Sequence, residues 1–407
     1  MSGAAEVLSA VGRNVGAFAV ACLLVVTQEP LSGCPFCGVV GESLAGRRDA
    51  ADAVVVGEAE GPAAADQAGF PSQRFRMHQV LRGDVAAEDA AVNARVDRPV
   101  EGTAILFGKK AGAAGEAKPA LRRLDWSAVA ADEMLLGYVV AAPGIREPAA
   151  RRLEWFIARL EHPEPAIAED AFTECGLAPF EAVRSAAAAF DAAKLRQWVG
   201  EPAIDQRRRG FYGLALGLVA ATAADPAEAR ACVAALHAAI EAPADDFRAG
   251  VDGLMAGILV AEGESGLDYL DGRGFFGPAG APEIPPPARP RPLDQRHLLS
   301  ALRFAWESLG ETIPRHRIAA ATARLLASPI VASDAAVDLA RYRYWDAVDR
   351  VAGLWDTLGG DDPAVRRSVA GFLAACPLPA ARRHLDRIRA AQPDLLDRAL
   401  RSAALPR

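Results

Sequence analysis

Glu147-Pro148-Ala149-Ala150-Arg151-Arg152-Leu153-Glu154-Trp155-Phe156-Ile157-Ala158-Arg159-Leu160 is where the chain changes its period. Leu153, Phe156, Ile157 and Leu160 fall at i, i+3, i+4 and i+7, the stripe that one helix face turns toward a core. Leu302, Trp306 and Leu309 obey the same spacing, as do Val365, Val369, Phe372, Leu373 and Cys376. No convincing strand pattern follows residue 150, so residues 147–407 are expected to be all-helical.

Upstream the period is that of strands. A short helix over residues 43–53 leads into Ala53-Val54-Val55-Val56-Gly57, an apolar run suited to a strand buried on both faces. Further strands are expected at Phe75–Leu81, Val92–Val96, Thr103–Gly108 and Leu121–Trp126. In the third, Val92, Ala94 and Val96 alternate with Asn93 and Arg95, the mark of a half-buried strand. Turn signals stand at Gly61-Pro62, at Arg82-Gly83-Asp84 and over residues 112–115. Short strands with no helices between them predict a small barrel or sandwich over residues 34–146. The expected class is α+β, with that module followed by an all-α array.

The chain has 407 residues, room for two or three domains at about 100–200 residues each. With 51% hydrophobic residues, 24% charged residues and a net charge of -7, it is neither a disordered chain nor a generic nucleic-acid binder. Lysine occurs only at Lys109, Lys110, Lys118 and Lys194. Arginine, alanine, glycine and proline are together abundant, as GC-rich coding produces, so arginine clusters carry little functional weight.

The first 33 residues read as a signal peptide or membrane anchor. Val15–Val26 is an apolar run preceded by Arg13, the right length for a signal core and short for a spanning helix. Leu31-Ser32-Gly33-Cys34 resembles the bacterial lipobox, which implies acylation of Cys34 as the mature N-terminus. The polar Thr27-Gln28-Glu29-Pro30 departs from that pattern. Lipoprotein processing, ordinary cleavage and an uncleaved anchor all place the remaining chain outside the cytoplasm, in the periplasm or envelope.

Cys34-Pro35-Phe36-Cys37 is a C-x-x-C. A thioredoxin-type pair follows a strand, whereas this one follows export sequence. Haem attachment requires histidine where Gly38 stands, and structural zinc requires two further ligands that no paired motif supplies. What remains is a Cys34–Cys37 disulfide, or a lipidated Cys34 beside a Cys37 paired elsewhere. Cys175, Cys232 and Cys376 lie on predicted helices, and Cys376 is expected to be a buried free thiol.

Two resemblances extend this reading. The order of the C-x-x-C, a helix, Ala51–Gly61 (ADAVVVGEAEG), Val80–Asp84 (VLRGD) and Gly102–Lys109 (GTAILFGK) resembles the netrin-like modules of the OB-fold group. That resemblance implies a small barrel; the further disulfide cysteines usual in that group are missing before Cys175. Glu164-Pro165-Ala166-Ile167 recurs 37 residues later as Glu201-Pro202-Ala203-Ile204, with variants at Asp225-Pro226-Ala227 and Asp362–Arg366. Each sets an acidic residue at a helix start and proline in its first turn. Asp362–Arg366 is similar to the opening of HEAT repeats, which implies stacked helical hairpins of about 40–47 residues each. A Pro-rich loop at 271–293 interrupts them. The whole resembles exported bacterial proteins that join a Cys-Pro-x-Cys start to helical repeats.

No H-E-x-x-H, no i,i+4 histidine pair, no triad signature and no phosphate-cradling glycine loop occurs. Neither a catalytic residue, a metal nor a cofactor is expected. Asp245, Asp246, Arg248 and Asp252 form the most suggestive polar cluster; a helix cap with an Arg248–Asp252 pair explains it more simply than acid–base chemistry. Arg207-Arg208-Arg209 reads as a solvated start to a helix whose Gly213 and Gly217 are spaced for close packing. The expected function is an exported, non-catalytic binding or scaffold protein for a protein or cell-envelope component, with no nucleic acid. The alternative is a thiol–disulfide oxidoreductase using Cys34 and Cys37.

Overall fold

In the computed structural model the described residues are 33, 34, 36, 37, 41–85, 90–110, 124–242, 248–277 and 290–403. All but the last residue of the leader expected over residues 1–33, the residues 112–115 turn signal, Asp245, Asp246 and most of the Pro-rich loop therefore lie outside the described residues.

Ser43 accepts the Gly46 N–H at 2.9 Å and so starts α1, Leu44–Ala50. Five strands follow: β1 Ala53–Ala65, β2 Pro71–Arg82, β3 Ala91–Arg95, β4 Thr103–Lys110 and β5 Leu124–Ala130. They close in the order β1-β2-β3-β5-β4, antiparallel throughout except for the parallel β3–β5 pair. The Gly61-Pro62 turn signal is corrected: Gly61 sits at a register shift between Glu60 and Ala64, and β1 continues through it. The chain reverses instead at residues 66–70, where the Asp66 carboxylate accepts the Ala68 and Phe70 N–H groups. The fifth strand runs on past Trp126 to Ala130.

The apolar runs in β1 and β4 follow from two separate cores. Ala53 and Val55 point into the barrel with Phe75, Met77, Leu106 and Trp126. Val54, Ile105 and Phe107 point the other way and join the core of the helical region. Side chains alternate across a strand, so a strand buried on both faces must be apolar at every position. β3 has only the barrel side to cover, and its sequence alternates accordingly. Each large apolar side chain at this second face contributes about 1.5–3 kcal/mol of burial.

A helix missed by periodicity comes next. α2, Glu133–Ala141, is capped by Asp132, whose carboxylate accepts the Leu135 N–H at 2.8 Å. Arg48 of α1 donates to the Val139 and Ala142 carbonyls at the far end of α2, which ties the two helices together. From there every described element is helical: α3 Ala149–Ile157, α4 Pro165–Leu177, α5 Phe180–Ser185, α6 Ala192–Gly200, α7 Gln206–Thr222, α8 Pro226–Glu241, α9 Val251–Glu262, α10 Glu264–Gly272, α11 Asp294–Ser308, α12 Arg315–Arg324, α13 Ala332–Arg341, α14 Val348–Gly353, α15 Pro363–Ala375, α16 Pro379–Ala391 and α17 Pro393–Ala403, with short 3-10 turns between some of them.

Glu164, Asp225 and Asp362 cap α4, α8 and α15 with proline in the first turn. The second Glu-Pro-Ala-Ile copy behaves differently. Glu201 accepts the Ala203 N–H at 3.2 Å, yet the next helix starts only at Gln206, capped by Asp205. Local capping chemistry is thus repeated while helix propagation is not.

Alternate helices pack on one another: α7 on α9, α9 on α11, α13 on α15 and α15 on α17. The tightest contact is α7 against α9. A Cβ on Gly217 would stand 2.2 Å from the Gly257 carbonyl oxygen, and one on Gly257 would stand 2.2 Å from that of Gly213. The two backbones touch, which any larger residue would prevent.

Candidate functional site

The segment that carries the C-x-x-C is pressed into the helical core. The Cys34 N–H donates to the Gly176 carbonyl at 2.8 Å, and the Cys37 N–H closes a turn onto Cys34 O at 3.3 Å. Gly33 lies so near that a Cβ there would be 2.3 Å from the same Gly176 oxygen. Phe36 packs edge-on against Phe304 of α11, with ring centroids 5.3 Å apart.

This docking brings Cys34 and Cys37 to Cys175, the residue before Gly176 on α4. All three are free thiols, and all are buried, with exposures of 7%, 2% and 0%. The Cys34 and Cys37 side chains are hydrogen-bonded, and Cys175 faces both electrostatically. Burial pushes the Cys37 thiol well up, and the neighbouring thiols push in the same direction. Burial and then the Glu174 carboxylate do the same to Cys175. Acylation of Cys34 requires its sulfur to leave this cluster. Among the described residues no group of three His, Cys, Asp or Glu side chains is arranged to hold a metal ion.

Beside the thiols, α4 carries two buried carboxylates one turn apart. Asp170 accepts the Leu44 N–H at 2.5 Å and the Tyr138 hydroxyl at 2.8 Å. Glu174 accepts the Ser43 hydroxyl at 2.5 Å and pairs with Arg152 of α3. Burial raises the Asp170 carboxyl to about 6; the Leu44 and Tyr138 hydrogen bonds hold it down, while the Glu174 charge raises it. The acids clamp α1, α2 and α3 onto α4, so the C-x-x-C and the first helices meet at one place. Sequence reasoning passed over them, although two carboxylates at i,i+4 within Ala166–Leu177 were a usable signal.

The polar cluster expected around residue 250 is rearranged. Asp245 and Asp246 lie outside the described residues. Arg248 stands before the helix with φ 58°, and α9 is led by Gly250 at φ 86°. The i,i+4 helix pairing with Asp252 therefore does not apply. Arg248 instead forms an ion pair with Asp294 of α11 at 2.9 Å and donates to the Ile240 carbonyl. Asp252 is raised by burial, with the opposing influence of His297.

At the basic start of α7, Arg207 is exposed as expected, whereas Arg208 departs from the expected solvated face. Arg208 is buried and reaches Glu161 at 2.9 Å and Glu169 at 2.8 Å, while Tyr212 donates to Glu161 at 2.5 Å. Gly213 and Gly217 do serve close packing. Tyr342 stacks on Trp306 at 3.8 Å and Trp345 meets Phe372 edge-on at 5.3 Å, so these aromatics pack between helices. Cys232 on α8 and Cys376, the residue that caps the end of α15, are buried free thiols elsewhere. Among the described residues no helix is long and apolar enough to cross a membrane.

No family model, curated protein or solved structure matches this chain.

Proposed function

We propose that the protein is an exported, non-catalytic scaffold whose helical array binds a protein or a cell-envelope component. The observation that carries this reading is the packing of alternate helices, α7–α9–α11 and α13–α15–α17. Stacking of that kind leaves successive helix faces unpacked and generates an extended binding surface. It agrees with the HEAT-like resemblance at Asp362–Arg366. The strand order β1-β2-β3-β5-β4 supports an OB-type barrel of the netrin-like sort.

Charge suggests the partner's chemistry. The chain is acidic, yet α16 and α17 carry Arg382, Arg383, Arg389, Arg398 and Arg401, all exposed, beside Asp386, Asp394 and Asp397, while Arg387 pairs with Asp356 at 2.8 Å. Arginine abundance by itself carries little weight, but an exposed excess confined to one end of an acidic chain favours an acidic protein or an anionic envelope component. The alternative, a thiol–disulfide oxidoreductase, needs an accessible, low-pKa thiolate, and the burial of Cys34 and Cys37 weighs against it.

The test is capture from envelope extracts by the full chain and by the triple variant Arg382→Glu/Arg383→Glu/Arg389→Glu. The scaffold reading expects a component retained by the wild type, released by salt and lost by the variant. Identical capture by both proteins contradicts it. Intact mass of the mature protein checks export, with an N-terminus near Cys34 as the expected result.

A further inference from the structure

We propose that Cys34, Cys37 and Cys175 form one disulfide-exchange site where the C-x-x-C segment docks on α4, with Cys175 as the alternative partner of either C-x-x-C sulfur. Neither export nor partner binding is needed for it, because the chemistry can be followed on the purified chain.

Three independent features place the thiols together. The Cys34 N–H is bound to the carbonyl that follows Cys175, which fixes the two residues side by side. The Cys37 N–H is bound to Cys34 O, which folds the second cysteine back over the first. The absence of a side chain at Gly33 lets the segment lie directly on α4. The electrostatic contacts among the three sulfurs follow from this packing. Cys232 and Cys376 have other surroundings: Arg196 points at the Cys232 sulfur from 3.7 Å, and Cys376 ends α15.

The substrate class is a disulfide. With glutathione disulfide as oxidant, the Cys34 thiolate attacks one glutathione sulfur and expels glutathione thiolate. The Cys37 thiolate then attacks the mixed disulfide at Cys34 and expels the second. Cys34 and Cys37 each lose a proton, two glutathione thiols are released, and two electrons pass to glutathione. In the exchange step the Cys175 thiolate attacks Cys34, the Cys34–Cys37 bond breaks, and Cys37 leaves with the electron pair and is protonated. No external oxidant is consumed in that step. Because all three sulfurs are buried, both reactions belong to the folding or loosened chain, and the packed state locks the result.

The experiment uses the full chain carrying Cys22→Ser, refolded with a reduced and oxidised glutathione mixture, alkylated and mapped by peptide mass. The expected parent product is a Cys34–Cys37 bridge lighter by two hydrogens. Cys37→Ala is expected to give a Cys34–Cys175 cross-link, and Cys34→Ala a Cys37–Cys175 cross-link. Cys232→Ala and Cys376→Ala are expected to leave the map unchanged. Should the core variants fail to fold, the parent chain held in the same mixture at a denaturant concentration that loosens it is expected to contain both the Cys34–Cys37 and Cys34–Cys175 isomers. Alkylated Cys34 and Cys175 in folded Cys37→Ala, cross-links to Cys232 or Cys376, or a loosened parent chain that never bridges Cys175 would overturn the proposal.

Discussion

Replacing Asp170 by asparagine should flatten part of the protein's pH–stability profile. The carboxyl sits at about 6 in the folded chain against 3.8 when free, so the folded state holds its proton the more firmly. The linked stabilisation is therefore complete below the free value and is lost as pH rises through the folded one. Two units at about 1.36 kcal/mol each make the whole effect about 3 kcal/mol, most of it between about pH 4 and pH 7. The residue is only 4% exposed, so solvent screening removes little of this. In Asp170→Asn the amide oxygen can still accept the Leu44 N–H, and the amide nitrogen can donate to the Tyr138 oxygen. Urea unfolding followed by circular dichroism across that range gives both stability curves. The variant should gain about 3 kcal/mol relative to wild type on going from acid to neutral pH. Parallel curves would refute the assignment of a raised carboxyl to this buried position.

Other substitutions separate packing from propensity. Gly257→Ala places a methyl 2.2 Å from the Gly213 carbonyl oxygen and should destabilise by about 1–3 kcal/mol, read as a lowered urea midpoint. Gly137→Ala, on α2 with nothing within 4 Å of the new Cβ, should instead stabilise by about 0.5–1 kcal/mol in the same assay. Glu161→Gln removes the charge shared by buried Arg208 and Tyr212 and should cost about 2 kcal/mol; an unchanged midpoint would show that Glu169 alone satisfies the guanidinium.

What could be read in advance was whatever depends on neighbours in sequence. The stripes in α3 and α15 and the alternation in β3 stand as expected, because period alone fixes which face is buried. The apolar run of β1 marks a buried strand, but what covers it could not be named, since Phe107 and the helical core lie far along the chain. α2 escaped because Glu133–Ala141 is apolar nearly all round and gives no stripe; the Asp132-Glu133 start was its one usable sign. The Glu201 repeat misled because an acidic side chain can cap a turn without a helix growing from it. The candidate site was the least legible part. Cys34 and Cys175 are 141 residues apart, and Arg248 and Asp294 46 apart, and nothing local announces either meeting. Asp170 and Glu174 drew no notice in the sequence, because the elements that cover them, α1, α2 and α3, precede α4 in the chain and meet it only in the fold.

The central structural claim is that the outward face of the barrel and the helices share one core. Hydrogen exchange under native conditions tests it most directly, comparing wild type with Phe107→Ala, a truncation that should cost about 3–5 kcal/mol at a fully buried site. The shared core predicts that protection falls by a similar free energy in β1 and β4 and in α4, α7 and α9. Loss confined to the strands, with the helices as protected as before, would contradict it.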